Sequence, residues 1–334
     1  EAQLLSARAR LAITEQQVLL SAVNAYVNLL RDQAVVQLNR SSEQVLRSEL
    51  KATRDRFQLG AATRTDIAQS ESRASAAAAS RLQAEGQLQS SIANYWQVLG
   101  QAPEGISAPD PLAGLPNTLD AAIAITLDEN PTLIVAELAG IAAEHSIDTA
   151  TGALLPTISL SASSRRSADW VSWGVSTDTN SLGLSLSMPL YQGGAEYAAI
   201  RQAKQARSEA MIGVDTARRQ VETQVTQAWH QLATARAAIY SRSDQVRASE
   251  VALEGVRQEE SVGARTLLDV LNAQQALLNA RVALVTSRRD EIIASYNLLA
   301  AMGRLTASRL ELRVELYDPT INFLRVSRAW FGRN

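Results

Sequence analysis

Gly60-Ala-Ala-Thr63-Arg-Thr65-Asp66 and, 203 residues later, Gly263-Ala-Arg265-Thr266-Leu-Leu-Asp269 are two versions of one segment. In each, a glycine closes one helix-forming run and Thr-x-x-Asp opens the next as a capping box. The threonine hydroxyl accepts from backbone N–H groups, and the aspartate sits near the positive helix start. The same 203-residue offset aligns Tyr26 with Trp229, Leu29 with Leu232, Leu50 with Leu253, Arg54 with Arg257 and Gly100 with Gly303, without a gap. Alanine matches arise by chance in an Ala-rich chain, but a Gly, Arg, Thr and Asp set in register does not. The chain is a tandem repeat of helical hairpins.

Proline placement sets the lengths of those helices. None of the eight prolines lies in residues 1–102 or 190–318, although proline is the residue that most reliably ends a helix. Both tracts are rich in the helix formers Ala, Leu, Arg, Gln and Glu. Helices are expected over roughly 3–59, 64–100, 195–260 and 265–302, broken at Gly60 and Gly263. At 1.5 Å per residue the longest reaches about 100 Å, a length that suits a coiled coil. Leu271, Gln275, Leu278, Val282, Val285, Arg289 and Ile292 step by four and three, the 3.5-residue period, and predict the seam.

The middle of the chain is different. Residues 101–118 carry four prolines and read as a linker, and Leu119 to Leu127 reads as a short helix. Asn130-Pro131 is a helix start, with the helix ending near Gly152. After Pro156 the period becomes two. Ile158, Leu160 and Ala162 alternate with Thr157, Ser159, Ser161 and Ser163; Leu182, Leu184, Leu186, Met188 and Leu190 alternate with Ser181, Gly183, Ser185 and Ser187. Strands of about 8–10 residues with one apolar and one small polar face have the span of a tilted bilayer-crossing strand. Trp170, Trp173 and Tyr191 fall at or beyond the strand ends, where interfacial aromatics belong. Two strands cannot close a barrel, so a membrane role requires others from elsewhere.

Composition narrows the function classes. With 32 basic and 34 acidic residues, the net charge of −2 offers no electrostatic case for nucleic acid. The absence of cysteine excludes thiolate metal sites, a cysteine nucleophile and disulfides. His145 and His230, the only histidines, stand in different segments with no triad, phosphate loop or metal spacing around them, so neither an enzyme nor a cofactor is expected. The 203-residue offset places the counterpart of the 156–190 hairpin before Glu1. The natural protein is therefore expected to extend upstream by a first hairpin, its preceding helix and a signal peptide.

Ser261-Val-Gly-Ala-Arg265-Thr-Leu-Leu-Asp269-Val-Leu-Asn272, the strand exit Met188-Pro-Leu-Tyr-Gln-Gly-Gly194 and the first-tip Thr65-Asp66 together resemble the TolC family of outer-membrane channel proteins. The resemblance covers nearly the whole chain. It implies a mainly α protein with a membrane β-hairpin. In a homotrimer, each full-length protomer would give four strands, two of them present here, to a twelve-stranded β-barrel. Long coiled-coil helices would continue that barrel as a periplasmic α-barrel. The implied function is a passive exit duct in the outer membrane, extending into the periplasm, for type I protein secretion or small-molecule efflux. Its implied partners are outer-membrane lipid, a periplasmic adaptor, and an inner-membrane ABC exporter or other efflux pump.

On this reading residues 1–102 form the first-repeat hairpin and 103–130 a proline-rich equatorial segment. Residues 131–155 are a second-repeat helix, 156–190 the transmembrane hairpin, 191–304 the second-repeat hairpin, and 305–334 a C-terminal equatorial segment that includes Tyr317-Asp-Pro319 and Trp330-Phe-Gly332. The tip turns at Gly60, Thr63, Thr65, Gly263 and Thr266 would dock the adaptor. Where members tie a second-tip Arg to a first-tip Asp to close the pore, this chain has Arg265 and Asp66. Where many have Tyr three residues before the tip glycine it has Glu260, and the acidic ring is matched at Asp269 but departed from at its second position, Asn272. A periplasmic adaptor, the alternative with a helical hairpin, would need lipoyl-like halves and β-rich stretches, which the chain lacks. A structural coiled coil would leave the period-two hairpin unexplained.

Overall fold

The computed structural model describes the chain except residues 110, 111, 113, 169–175, 313, 315, 317, 319, 322, 324, 325 and 327–334. Trp170, Trp173, Tyr317, Pro319 and Trp330-Phe-Gly332 fall outside the described residues. The elements are α1 (Ala2–Gln58), α2 (Arg64–Leu99), α3 (Leu119–Glu129), α4 (Pro131–Gly152), β1 (Thr157–Ala168), β2 (Ser176–Ser187), α5 (Ala195–Ser261) and α6 (Leu267–Ala301). The repeat is exact at the turns: α1 ends at Gln58 and α5 at Ser261, and α2 begins at Arg64 and α6 at Leu267. Two compact units share the chain, one of residues 1–9 and 132–219, the other of 10–131 and 220–334. No helix among the described residues is long and apolar enough to cross a membrane.

In the first unit β1 and β2 pair antiparallel, with Ile158 opposite Leu186, Leu160 opposite Leu184 and Ala162 opposite Leu182. Side chains alternate along a strand, so these six share one face. The five largest of them are 69–77% exposed, a continuous apolar surface with no covering layer. The other face carries Ser159, Ser161, Ser163, Ser181 and Ser185, and the Ser163 and Ser181 hydroxyls lie 2.7 Å apart. Each strand has 12 residues, longer than expected, yet β2 stops at Ser187. Pro189 lacks the N–H needed to extend the ladder, so Met188 and Leu190 lie past the strand end. α4 meets α5 closely at Gly140, where a Cβ would stand 3.6 Å from Met211 Sδ and 3.7 Å from Val214.

The second unit is built on two antiparallel helical hairpins. Buried α1 residues Leu29, Asp32, Val36, Asn39, Glu43, Leu46 and Thr53 step by threes and fours, the coiled-coil period. Facing them on α2 are Ser70, Ala74, Ala77, Ala84, Ser91 and Tyr95. Three polar pairs cross this seam at matched distances from the tip. Thr53 meets Ser70 at 3.3 Å, Arg81 donates to Glu43 at 2.5 Å, and Ser91 donates to Asp32 at 2.5 Å. Further from the tip the Tyr26 and Tyr95 rings stand 6.4 Å apart.

The seam in α6 differs from the one its spacing predicts. Of the seven expected positions only Leu271 is buried, and Gln275, Leu278, Val282, Val285, Arg289 and Ile292 are half-buried. The buried residues include Leu267, Val270, Gln274, Leu277 and Ala280. The reason is that α6 has two sets of neighbours. Val270 and Leu277 pack on Leu253 of α5, while Leu267 and Leu271 pack with Leu46 of α1 and Ala77 of α2. A helix buried on two sides does not follow a single 3.5-residue stripe.

α3 covers the far end of the second hairpin. Ala122 lies in a core with Val225, Ala228 and Leu232 of α5 and Leu298 and Leu299 of α6, continued by Met302 and Leu305. The contact is tight at Gly303, which is left-handed at φ 80°, and a Cβ there would stand 2.6 Å from the Glu129 carbonyl oxygen. The Glu129 side chain accepts from Arg304 at 2.5 and 2.9 Å and from Arg309 at 2.6 Å. Asn130 donates to the Ala301 carbonyl at 2.7 Å.

Two outcomes follow from this joint. Gly303→Ala adds a backbone clash to the left-handed penalty of about 1 kcal/mol, whereas Gly100→Ala, at φ 72° with nothing within 4 Å, carries only the penalty. Urea midpoints should therefore fall clearly further for Gly303→Ala than for Gly100→Ala. Arg304 hydrogen bonding holds the Glu129 carboxyl below its usual range, against an opposing effect of burial, with the charges of Arg304 and Arg309 adding to it. A depressed folded value gives stability that is present above the unfolded value and lost as pH falls through the folded one. Thermal melts of Glu129→Gln should be lower than wild type at neutral pH and converge on it below about pH 4.3, the ordinary glutamate value.

Candidate functional site

The two hairpin tips bring together most of the residues that the sequence marks as functional. Each is built by the same backbone bonds. Gly60 N–H donates to the Phe57 carbonyl at 2.9 Å and Ala61 N–H to Arg56 at 2.8 Å; Gly263 to Glu260 and Ala264 to Glu259 repeat both distances. This is the Schellman closure, and it requires the left-handed glycines, at φ 77° and 79°. Thr63 and Thr266 then cap α2 and α6, with capping boxes to Asp66 and Asp269. Each carboxylate accepts from both the backbone N–H and the hydroxyl of its own threonine, at 2.8 Å for Asp66 and at 3.0 and 2.8 Å for Asp269.

Those capping bonds change where the charges are available. The Thr266 backbone and hydroxyl, with the nearby Arg265 charge, hold the Asp269 carboxyl below its usual range. Arg265 donates to Glu259 at 2.9 Å, and that bond, followed by the charges of Glu259 and Asp269, raises its guanidinium further. Within this protomer the expected Arg265–Asp66 contact is therefore not formed, because each group is engaged inside its own hairpin. Glu260 reaches outside its own hairpin. It accepts from Arg56 at 2.7 Å, and Asn272 accepts from Arg73 at 2.7 Å. These two contacts tie the first hairpin to the second, α1 to α5 and α2 to α6, within two or three turns of the tips.

Arg56, Arg73 and Glu259 were not singled out from the sequence. A signal existed for two of them: position 56 aligns with 259 across the repeat, and its charge reverses from Arg to Glu. Each tip also presents one exposed apolar side chain directly before its glycine, Leu59 at 84% and Val262 at 79%. Thr65 is exposed on the first turn of α2. Among the described residues no cluster of His, Asp or Glu could hold a metal ion, and His145 is an exposed residue 3.5 Å from Asp148.

Comparison with known proteins accounts for these features together. A family model described as outer membrane efflux protein matches residues 122–304. The chain is 36% identical to the outer membrane efflux protein BepC of Brucella suis, over 99% of this chain and 73% of that one. It is 26% identical to the outer membrane protein TolC of Escherichia coli, over 89% of this chain and 64% of that one, so it spans about two thirds to three quarters of these relatives. In structure it resembles the Campylobacter jejuni CmeC outer membrane channel, with a TM-score of 0.76 at 17% identity over 98% of this chain and 69% of that one. The repeated hairpins, the one-faced β-hairpin and the sequence match agree: the chain belongs to the outer membrane efflux protein family of TolC-like channels.

Proposed function

We propose that this chain is the larger part of one protomer of a passive trimeric exit duct. It stands in the outer membrane, reaches into the periplasm and opens at the helical tips. The observation that carries this reading is the β-hairpin, whose apolar row is largely exposed while its other face is a ladder of serines. In water that row has no partner, but in lipid it is satisfied, and the serines then line an aqueous lumen. Two strands per chain cannot close a barrel. The remaining strands come from elsewhere in the assembly, further copies of the chain among them. Threefold repetition of the hairpins makes a helical conduit without a membrane helix.

The tips are the end that must open, and through them the duct meets a periplasmic adaptor and an inner-membrane pump. In each protomer the Arg56–Glu260 and Arg73–Asn272 contacts hold the two hairpins together. Partly solvated contacts of this kind contribute about 0.2–1 kcal/mol each, so three protomers sum to about 1–6 kcal/mol. Moving an equilibrium from 1:99 to 99:1 takes about 5.5 kcal/mol. The lock is firm enough to keep the duct shut at rest and weak enough for a docking partner to release. The position of Asp269 at the start of α6 gives the entrance a fixed negative charge.

In planar bilayers Arg56→Ser and Glu260→Gln should each raise single-channel conductance, and the double variant should add little to either. Arg265→Ser, which breaks a contact inside one hairpin, should change conductance less. If Arg265→Ser opens the channel and Arg56→Ser does not, the lock lies between subunits at Arg265 and Asp66. For the hairpin, Leu184→Arg puts a charge on the lipid face at a cost of about 2–4 kcal/mol. It should abolish trimer recovery from membranes, while Ser185→Arg, on the lumen face, should leave trimers intact on native gels.

A further inference from the structure

The two hairpins carry the same cation at aligned positions, but only one of them neutralises it. In the first, Arg54 of α1 lies 3.6 Å from the carboxylate of Glu71 on α2. The repeat places Arg257 and Gln274 at the equivalent positions. The cation has been kept and the carboxylate has become an amide. Arg257 has no ion pair or hydrogen bond among the described residues, and Gln274, only 8% exposed, has no partner for either Nε2 or Oε1. Both residues line a cavity of about 230 Å³, with Leu38 of α1, Leu253 of α5 and Leu277 and Leu278 of α6 on its apolar side and Ser41, Ser42 and Arg281, which is paired with Glu250, beside them.

This is an unfinished polar site beside a patch of leucines. A buried amide that has left water regains nothing until both its donor and its acceptor are met. A guanidinium offers a fork of donors that matches a carboxylate. A molecule that completes the site must bring an anionic acceptor for Arg257 and Gln274 Nε2, a hydroxyl donor for Gln274 Oε1, and a compact apolar body for the leucines. We propose that the cavity binds an aromatic hydroxy acid, with its carboxylate standing where the first hairpin has Glu71. The bound acid contacts α1, α5 and α6 together.

The probe is 2-hydroxybenzoate, titrated calorimetrically into the purified protein in detergent. One saturable site per chain is expected, with benzoate, which lacks the hydroxyl, binding more weakly. Gln274→Glu restores the first hairpin's own carboxylate and should lower affinity at least roughly tenfold, the effect of losing a charge-assisted contact, while melting no lower than wild type. Arg257→Gln should lower affinity similarly. Arg54→Gln, in the first hairpin, should leave it unchanged. No saturable binding by wild type overturns the proposal. So does wild-type affinity in Arg257→Gln or in a folded Gln274→Glu.

Discussion

The structure depends on how the two tips set the register of the long helices. Once Gly60 and Thr63 close the turn, every residue of α1 is paired with the residue of α2 at the same distance beyond it. A slip by one residue would carry the whole seam off its partner. Glu43 and Arg81 make such a slip costly. Glu43 is 6% exposed and takes contacts from both Arg81 and Arg47, while Arg81 also reaches Glu85 at 2.6 Å. Moving Arg81 away would leave the buried Glu43 carboxylate short of a partner that crosses the seam. Asp32 with Ser91 and Thr53 with Ser70 apply the same test at two further levels.

The second hairpin solves the same problem without charge. The residues at its equivalent levels are Val256 and Ala273, Val246 and Leu284, and Ala235 and Ala294. All three polar pairs have become apolar. A duplicated hairpin carries the hazard that α1 closes on α6 and α5 on α2, since the backbones are interchangeable. With the observed residues a swap would set Glu43 against Leu284 and Arg81 against Val246, parting a buried carboxylate from its half-buried guanidinium partner. Correct pairing is thus favoured by what the wrong pairing would bury. The apolar seam of the second hairpin in turn supplies the core on which α3 settles.

Helix boundaries, tip turns, caps and the alternation of the β-hairpin were all legible in the sequence, because each is a local matter. A left-handed glycine, a threonine three residues before an aspartate and a period of two need no knowledge of the rest of the chain. The seam of α6 was not legible, because its burial is decided by α1 and α2 as well as by α5. Nor were the pairings of the tip charges. Arg265 has carboxylates within reach on its own hairpin, and Glu259 lies near enough to engage it before Asp66 can. Long side chains choose among neighbours by distances of an ångström or two, which spacing along a chain does not encode.

Duplication gives two nearly identical backbones, and the differences between them carry the function. Where the repeats agree, at the glycines and the capping boxes, the residues build turns. Where they disagree, the hairpins acquire different tasks. Phe57 against Glu260 puts a carboxylate at the end of α5 where α1 has a ring, and that carboxylate accepts from Arg56 of the first hairpin. With the same sign at both ends the tips would repel. Gly100 and Gly303 share a conformation, but only Gly303 lies against another backbone, so the second hairpin is anchored by α3 and the first is not. Within the chain, the unlike tips meet through the Arg56–Glu260 contact, which two identical tips could not form.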